Sequence, residues 1–129
     1  MGVLIDTDVF IEQERGGGSL VEAVGDEPWG ISVITASELL HGVHRASGAV
    51  RVRRRAWVED VLAGAEAVPI TLPVARVHAE VWAQLAEAGT AVGQHDLWIG
   101  ATALAHGLGV VTSNDRDFAR IPGLRVIAV

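Results

Sequence analysis

Five short stretches rich in Val and Ile recur along the chain, separated by longer segments with helical spacing, and this alternation constrains the fold more than any other feature. "VLI" (3–5), "GISVI" (30–34), "AVPI" (67–70), "GVVT" (109–112) and "RVIAV" (125–129) read as strands. Residues 7–14, 20–25, 36–46, 49–63, 74–88 and 96–106 read as helices, with a short helical turn near 115–120. Strands alternating with helices predict an α/β fold, a parallel sheet covered on both faces. The clearest helical stripe is Val74, Val77, Val81 and Leu85, with Gly89 as its stop. His78 on that helix reads as a core or interface histidine rather than a metal ligand. "RGGGS" (15–19) reads as a connector, because no strand feeds it and no lysine follows to make a phosphate loop.

Composition narrows the chemistry. At 129 residues the chain fits one domain, expected to span 1–129. The absence of cysteine excludes disulfides and thiolate metal sites and suits the cytoplasm. No apolar run approaches the roughly 18 residues of a membrane span, and no secretion leader is read. All ten basic residues are arginine, which removes the P-loop lysine, the Schiff-base lysine and the lysine of many phosphoryl-transfer sites. A formal charge of −6 argues against generic nucleic-acid binding, but not against nucleic acid at a metal site, where cations invert the local potential.

Acids collect after the strands. Asp6 ends the first, Glu38 follows the second in "SVITASELLHGV", and Asp115 and Asp117 follow the fourth in "VVTSNDRDFARIPGL". Asp96 opens the helix "DLWIGATALAHG". Each also reads as a local structural residue. "TASE" has the spacing of a capping box between Thr35 and Glu38, and Asp6 and Asp96 are placed to cap helices. Ligands of open α/β sheets bind beyond the carboxyl ends of the strands, where these acids would gather. Carboxylates packed together need a cation, and an oxygen-only donor set points to magnesium or manganese.

In order and spacing, "LIDTDVFI", "TASELLHGV", "HDLWIGATALAHGLGVVT" and "SNDRDFARIPGL" resemble the PIN domain, specifically the VapC-type toxin ribonucleases of bacterial toxin–antitoxin pairs. The resemblance implies a three-layer α/β/α sandwich around a parallel five-stranded sheet of order 3-2-1-4-5. It implies a Mg2+- or Mn2+-dependent endoribonuclease that cuts tRNA or rRNA. It also implies a homodimer, inhibited by a VapB antitoxin through which alone it would meet DNA. Asp6, Glu38 and Asp96 match the family's core acids; the fourth position falls on Asn114, leaving Asp115 and Asp117 as the nearest acids, and Thr112 as a hydroxyl that fixes a ligand.

Arginine has to supply the phosphate contacts, and "RVRRR" (51–55) reads either as a solvated face or as an RNA or antitoxin contact. His95 reads as a hydrogen-bonding neighbour of the site and Arg116 as a partner for a nearby carboxylate. Two alternatives stand beside the nuclease. A phosphatase would use "DTD" as nucleophile and acid but lacks its lysine, and a PIN-like scaffold would bind without cutting.

Overall fold

The computed structural model describes residues 2–16 and 24–129. The helix expected over 20–25 and the connector at 15–19 fall mostly outside them. The elements run β1 (Val3–Ile5), α1 (Thr7–Glu14), β2 (Trp29–Ser32), α2 (Val33–Arg45), α3 (Gly48–Gly64) and β3 (Glu66–Val68). They continue with α4 (Leu72–Glu87), α5 (Gln94–His106), β4 (Gly109–Thr112), α6 (Asp115–Phe118) and β5 (Val126–Ala128).

The five strands form one sheet of order β3-β2-β1-β4-β5, parallel throughout. β1 lies at its centre, with Leu4 beside Gly30 of β2 on one edge and Val110 of β4 on the other. A strand so placed is apolar on both faces, hence the unbroken "VLI". Val3 and Ile5 pack with Phe10, Ile31, Leu39, Val43 and Val58 under α1 to α3. Leu4 points the other way, among Val81, Leu85, Leu97, Ile99 and Phe118 under α4 to α6. Fully burying a side chain of the size of Leu4 or Phe10 contributes roughly 1.5–3 kcal/mol. These two cores make the three layers.

Gly30 permits the β2–β3 pairing: a Cβ there would lie 2.8 Å from the carbonyl oxygen of Glu66. Gly107, at φ 68°, closes α5 by donating its amide to the helix's last carbonyls, and β4 follows at once.

Most boundaries fall within two residues of expectation, but the β2–α2 junction does not. Ser32 is the N-cap of α2, its Oγ accepting from the amide of Ile34 at 3.0 Å, so Val33, Ile34 and Thr35 are already helical. The strand expected to run through Ile34 ends two residues earlier, because the cap overrides the β preference of the run "ISVIT". The capping box on Thr35 is therefore absent. Thr35 is fully buried in the first turn, and its hydroxyl has no hydrogen-bond partner. Among the described residues no helix is long and apolar enough to cross a membrane.

Candidate active site

Because all strands run the same way, their carboxyl ends share one edge, and after each of β1 to β4 the chain leaves that edge into a helix. Asp6 is the first residue past β1 and the N-cap of α1. Its side chain is 5% exposed; Oδ1 accepts from the amide of Thr7 at 2.8 Å and Oδ2 from Thr112 Oγ1 at 2.9 Å. The capping reading holds through Oδ1, and the same carboxylate turns Oδ2 toward Thr112 at this edge.

Glu38, one turn into α2, reaches the same edge instead of folding back on its own helix. Thr7 Oγ1 donates to Glu38 Oε1 at 2.7 Å, and His95 Nδ1 lies 3.3 Å from Glu38 Oε2. His95 is the hydrogen-bonding neighbour the sequence suggested.

α5 begins at Gln94 with Gly93 as N-cap, so Asp96 does not cap it but sits inside its first turn. There its charge faces the positive end of the helix. Asn114 donates from Nδ2 to Asp96 Oδ2 at 3.3 Å and to Asp117 Oδ2 at 3.1 Å. Asn114 is a bridge between two acids, and it draws Asp117 into the cluster. Asp115 is exposed and takes no part in these bonds. Arg120, not Arg116, approaches Asp117, at 3.6 Å.

One participant was not singled out from the sequence: Thr7 is buried and ties α1 to Glu38. Asp8, read from "DTD" only as the partner acid of a phosphatase, is half-buried, and its Oδ2 accepts from Ser113 Oγ at 2.6 Å. The "DTD" spacing displays Asp8 openly, but its partner lies 105 residues away, and only the fold pairs them.

Electrostatically the edge is under-neutralised. Burial, followed by the charge of Asp8, raises the Asp6 carboxyl to about 7, against the lowering effect of its bonds from Thr112 and Thr7. Asp96 is raised as well, first by burial and then by Glu38, Asp117 and Asp8. Among the described residues no arginine pairs with Asp6, Asp8, Glu38 or Asp96. Hard oxygen donors that repel one another, with Asp6 and Asp96 unpaired with any arginine, fit a divalent cation chemically. No three His, Asp or Glu side chains among the described residues converge into a ready coordination shell, so a cation would have to draw the acids inward.

The arginine run divides in two. Arg51 donates to the carbonyls of Ala46 and His44 at the end of α2, and Arg54 pairs with Glu14 of α1 at 3.2 Å. Arg53 and Arg55 remain exposed. His78 is buried and stacks on Trp98 with centroids 3.6 Å apart, well within the α4–α5 packing.

Known proteins share this fold. The family model described as PIN domain matches residues 3–124. Ribonuclease VapC1 of Rickettsia felis is 34% identical, with 100% of this chain and 97% of that protein aligned. The tRNA(fMet)-specific endonuclease VapC of Salmonella typhimurium is 38% identical over 74% of this chain and 71% of its own length. Among solved structures, VapBC-5 from Mycobacterium tuberculosis, a member of the VapBC family of toxin–antitoxin systems, superposes with a TM-score of 0.83. It is 36% identical, over 99% of this chain and 98% of that one. Likeness of this degree along the whole length makes the chain a member of the PIN-domain family and, within it, of the VapC ribonucleases.

Proposed function

We propose that residues 1–129 act as one catalytic unit, a divalent-cation-dependent endoribonuclease that serves as the toxin of a toxin–antitoxin pair in the cytoplasm. The observation that carries this reading is the gathering of Asp6, Glu38, Asp96 and Asp117 at the carboxyl edge of the sheet without a cationic partner for the buried ones, in a chain of this family. Asp6, Asp96, Glu38 and Asp117 would hold Mg2+, or Mn2+ in its place. Asp117 is preferred to Asp115 because Asn114 ties it to Asp96. The chemistry such a cation supplies is Lewis acidity: charge neutralisation at the scissile phosphate and acidification of water.

The rest falls to the chain's own residues. Thr7 and Thr112 hold the oxygens of Glu38 and Asp6 in place, and every carboxylate oxygen keeps a lone pair for a further contact. Glu38 Oε2, steadied by His95, is the oxygen that would orient the attacking water. Water displacing the 3′-oxygen leaves a 5′-phosphate and a 3′-hydroxyl. Arg53 and Arg55, free of the contacts that occupy Arg51 and Arg54, are available to RNA phosphates or to the antitoxin. The tRNA-directed relative supports tRNA as the substrate class, and the VapBC likeness supports a VapB-type antitoxin partner that closes the acidic edge. A homodimer is the proposed assembly, with exposed Leu72 and Trp82 on α4 as apolar surface for it.

The test is cleavage of total tRNA by purified protein with Mg2+, with Mn2+ and with a chelator, followed by sequencing of 5′-phosphorylated ends. Asp6→Asn and Asp96→Asn should each lower cleavage by more than the roughly 10–100-fold typical of residues behind the metal ligands. Glu38→Gln, whose amide oxygen still accepts from Thr7, should fold normally and cut poorly. Undiminished cleavage by a folded Asp6→Asn protein, or by wild type in chelator, would sink the metal-nuclease reading.

A further inference from the structure

Three consecutive side chains, from the last residue of β4 into the turn that follows, each donate to a different acid. Thr112 reaches Asp6, Ser113 reaches Asp8, and Asn114 reaches both Asp96 and Asp117. The turn is also closed on itself, with the amide of Asn114 donating to Thr112 Oγ1 at 2.8 Å. Of the acids so contacted, Asp8 alone has no place in the proposed ligand set. Yet its bond is the shortest of the group, 2.6 Å from hydroxyl to carboxylate, in the range of charge-assisted hydrogen bonds. The Ser113 amide also faces Asp8, at 3.5 Å. Asp8 lies in the first turn of α1, where the helix dipole favours a negative charge.

We propose that Asp8 and Ser113 are a positioning pair for the nuclease, latching the β4–α6 turn to the start of α1. The pair thereby fixes the separation of Asp6 from Asp96 and Asp117. This rests on the ribonuclease reading. Thr112 and Asn114 bond to groups that a cation and a phosphate would pull on, so those bonds cannot also serve as the fixed reference for the turn. The Asp8–Ser113 bond lies between them and outside the ligand set. Cutting it frees the turn to shift relative to Asp6, which costs alignment at the reacting phosphate rather than RNA binding.

A double-mutant cycle tests this, with steady-state cleavage and Mn2+ binding followed by electron paramagnetic resonance. Ser113→Ala and Asp8→Ala should each lower kcat about 10-fold, at the low end for residues that orient metal ligands, with KM nearly unchanged. The double variant should also lose about 10-fold rather than about 100-fold, because both changes remove one interaction. Ser113→Thr should restore activity, and Mn2+ affinity should fall in the two alanine variants but not in Ser113→Thr. Multiplicative losses, or wild-type kcat and Mn2+ affinity in Ser113→Ala, overturn the proposal. Should Asp8→Ala fail to fold, the contrast of Ser113→Ala with Ser113→Thr decides alone. Asp6→Asn serves as control: if it is inactive while Ser113→Ala is normal, the latch fails and the nuclease stands. If Asp6→Asn cuts normally, the nuclease reading itself fails.

Discussion

A carboxylate buried beside another acid destabilises its own ionised form, and Asp6 is such a group. Its folded pKa, about 7, lies above its value in the unfolded chain, so the native state holds the proton more tightly. Stability from this group is complete below the unfolded value near 3.8 and declines as pH rises through about 7. In cation-free protein, the melting temperature should therefore fall between pH 5 and pH 8, and Asp6→Asn should flatten that slope and melt higher than wild type at pH 8. Scanning calorimetry in chelator measures both, and an unchanged slope in Asp6→Asn would place the titration elsewhere. Residue identity made Asp6, Glu38 and Asp96 legible as a set. Thr7, the pairing of Asp8 with Ser113 and the bridging role of Asn114 were not, since each depends on which side chain of a distant element arrives opposite it. Choosing between Asp115 and Asp117 required knowing which side of a four-residue helix faces the edge.

At the scale of elements, the entry to α2 shows where local preference misleads. "ISVIT" is rich in β-branched residues, and such residues favour strands, yet Ser32 starts the helix in the middle of the run. Periodicity located the helix but not its first turn, since one turn is too short to show a period. The displaced start moves the cap from Thr35 to Ser32 and frees Glu38 for the site. Ser32→Ala should cost about 1 kcal/mol, as the loss of an N-cap does. Thr35→Val should be neutral or stabilising, because it removes a buried hydroxyl without a partner and keeps the shape. Chemical denaturation of the two variants reads this directly; a loss at Thr35→Val equal to that at Ser32→Ala contradicts the assignment. Two arginines of "RVRRR" likewise proved to be struts, for helix ends and interhelix ion pairs leave no mark in a charge count.

For the molecule as a whole, alternation of strand and helix was enough to foresee a parallel sheet with two covered faces. The order of the strands was not in the alternation; it came from the family resemblance, because hydrophobic period says which face is buried and nothing about neighbours. The order matters because it sets β1 between β2 and β4, which brings Asp6 next to Thr112 and within reach of Glu38 through Thr7. With a net charge of −6 and acids concentrated at one edge, the folded chain should be stabilised by a divalent cation if the proposed site holds one. Mg2+ or Mn2+ at 100 times its Kd should add roughly 2.7 kcal/mol to the unfolding free energy of wild type by mass action. A thermal-shift titration should show this gain for wild type and little of it for Asp96→Asn. Equal shifts in both proteins would mean that the cation binds elsewhere.

The bonds joining the turn at 112–114 to the acids of α1 span 105 and 106 positions of sequence. A ribosome delivers Asp6 and Asp8 more than a hundred residues before Thr112 and Ser113. Until that late segment emerges and β4 inserts beside β1, the central strand lacks one neighbour and Asp6 lacks the hydroxyl that fixes it. Contacts of such long range are also the slow ones to close. The acidic edge is therefore assembled late relative to β1: its fixing hydroxyls reach Asp6 and Asp8 only once β4 has been made and has docked.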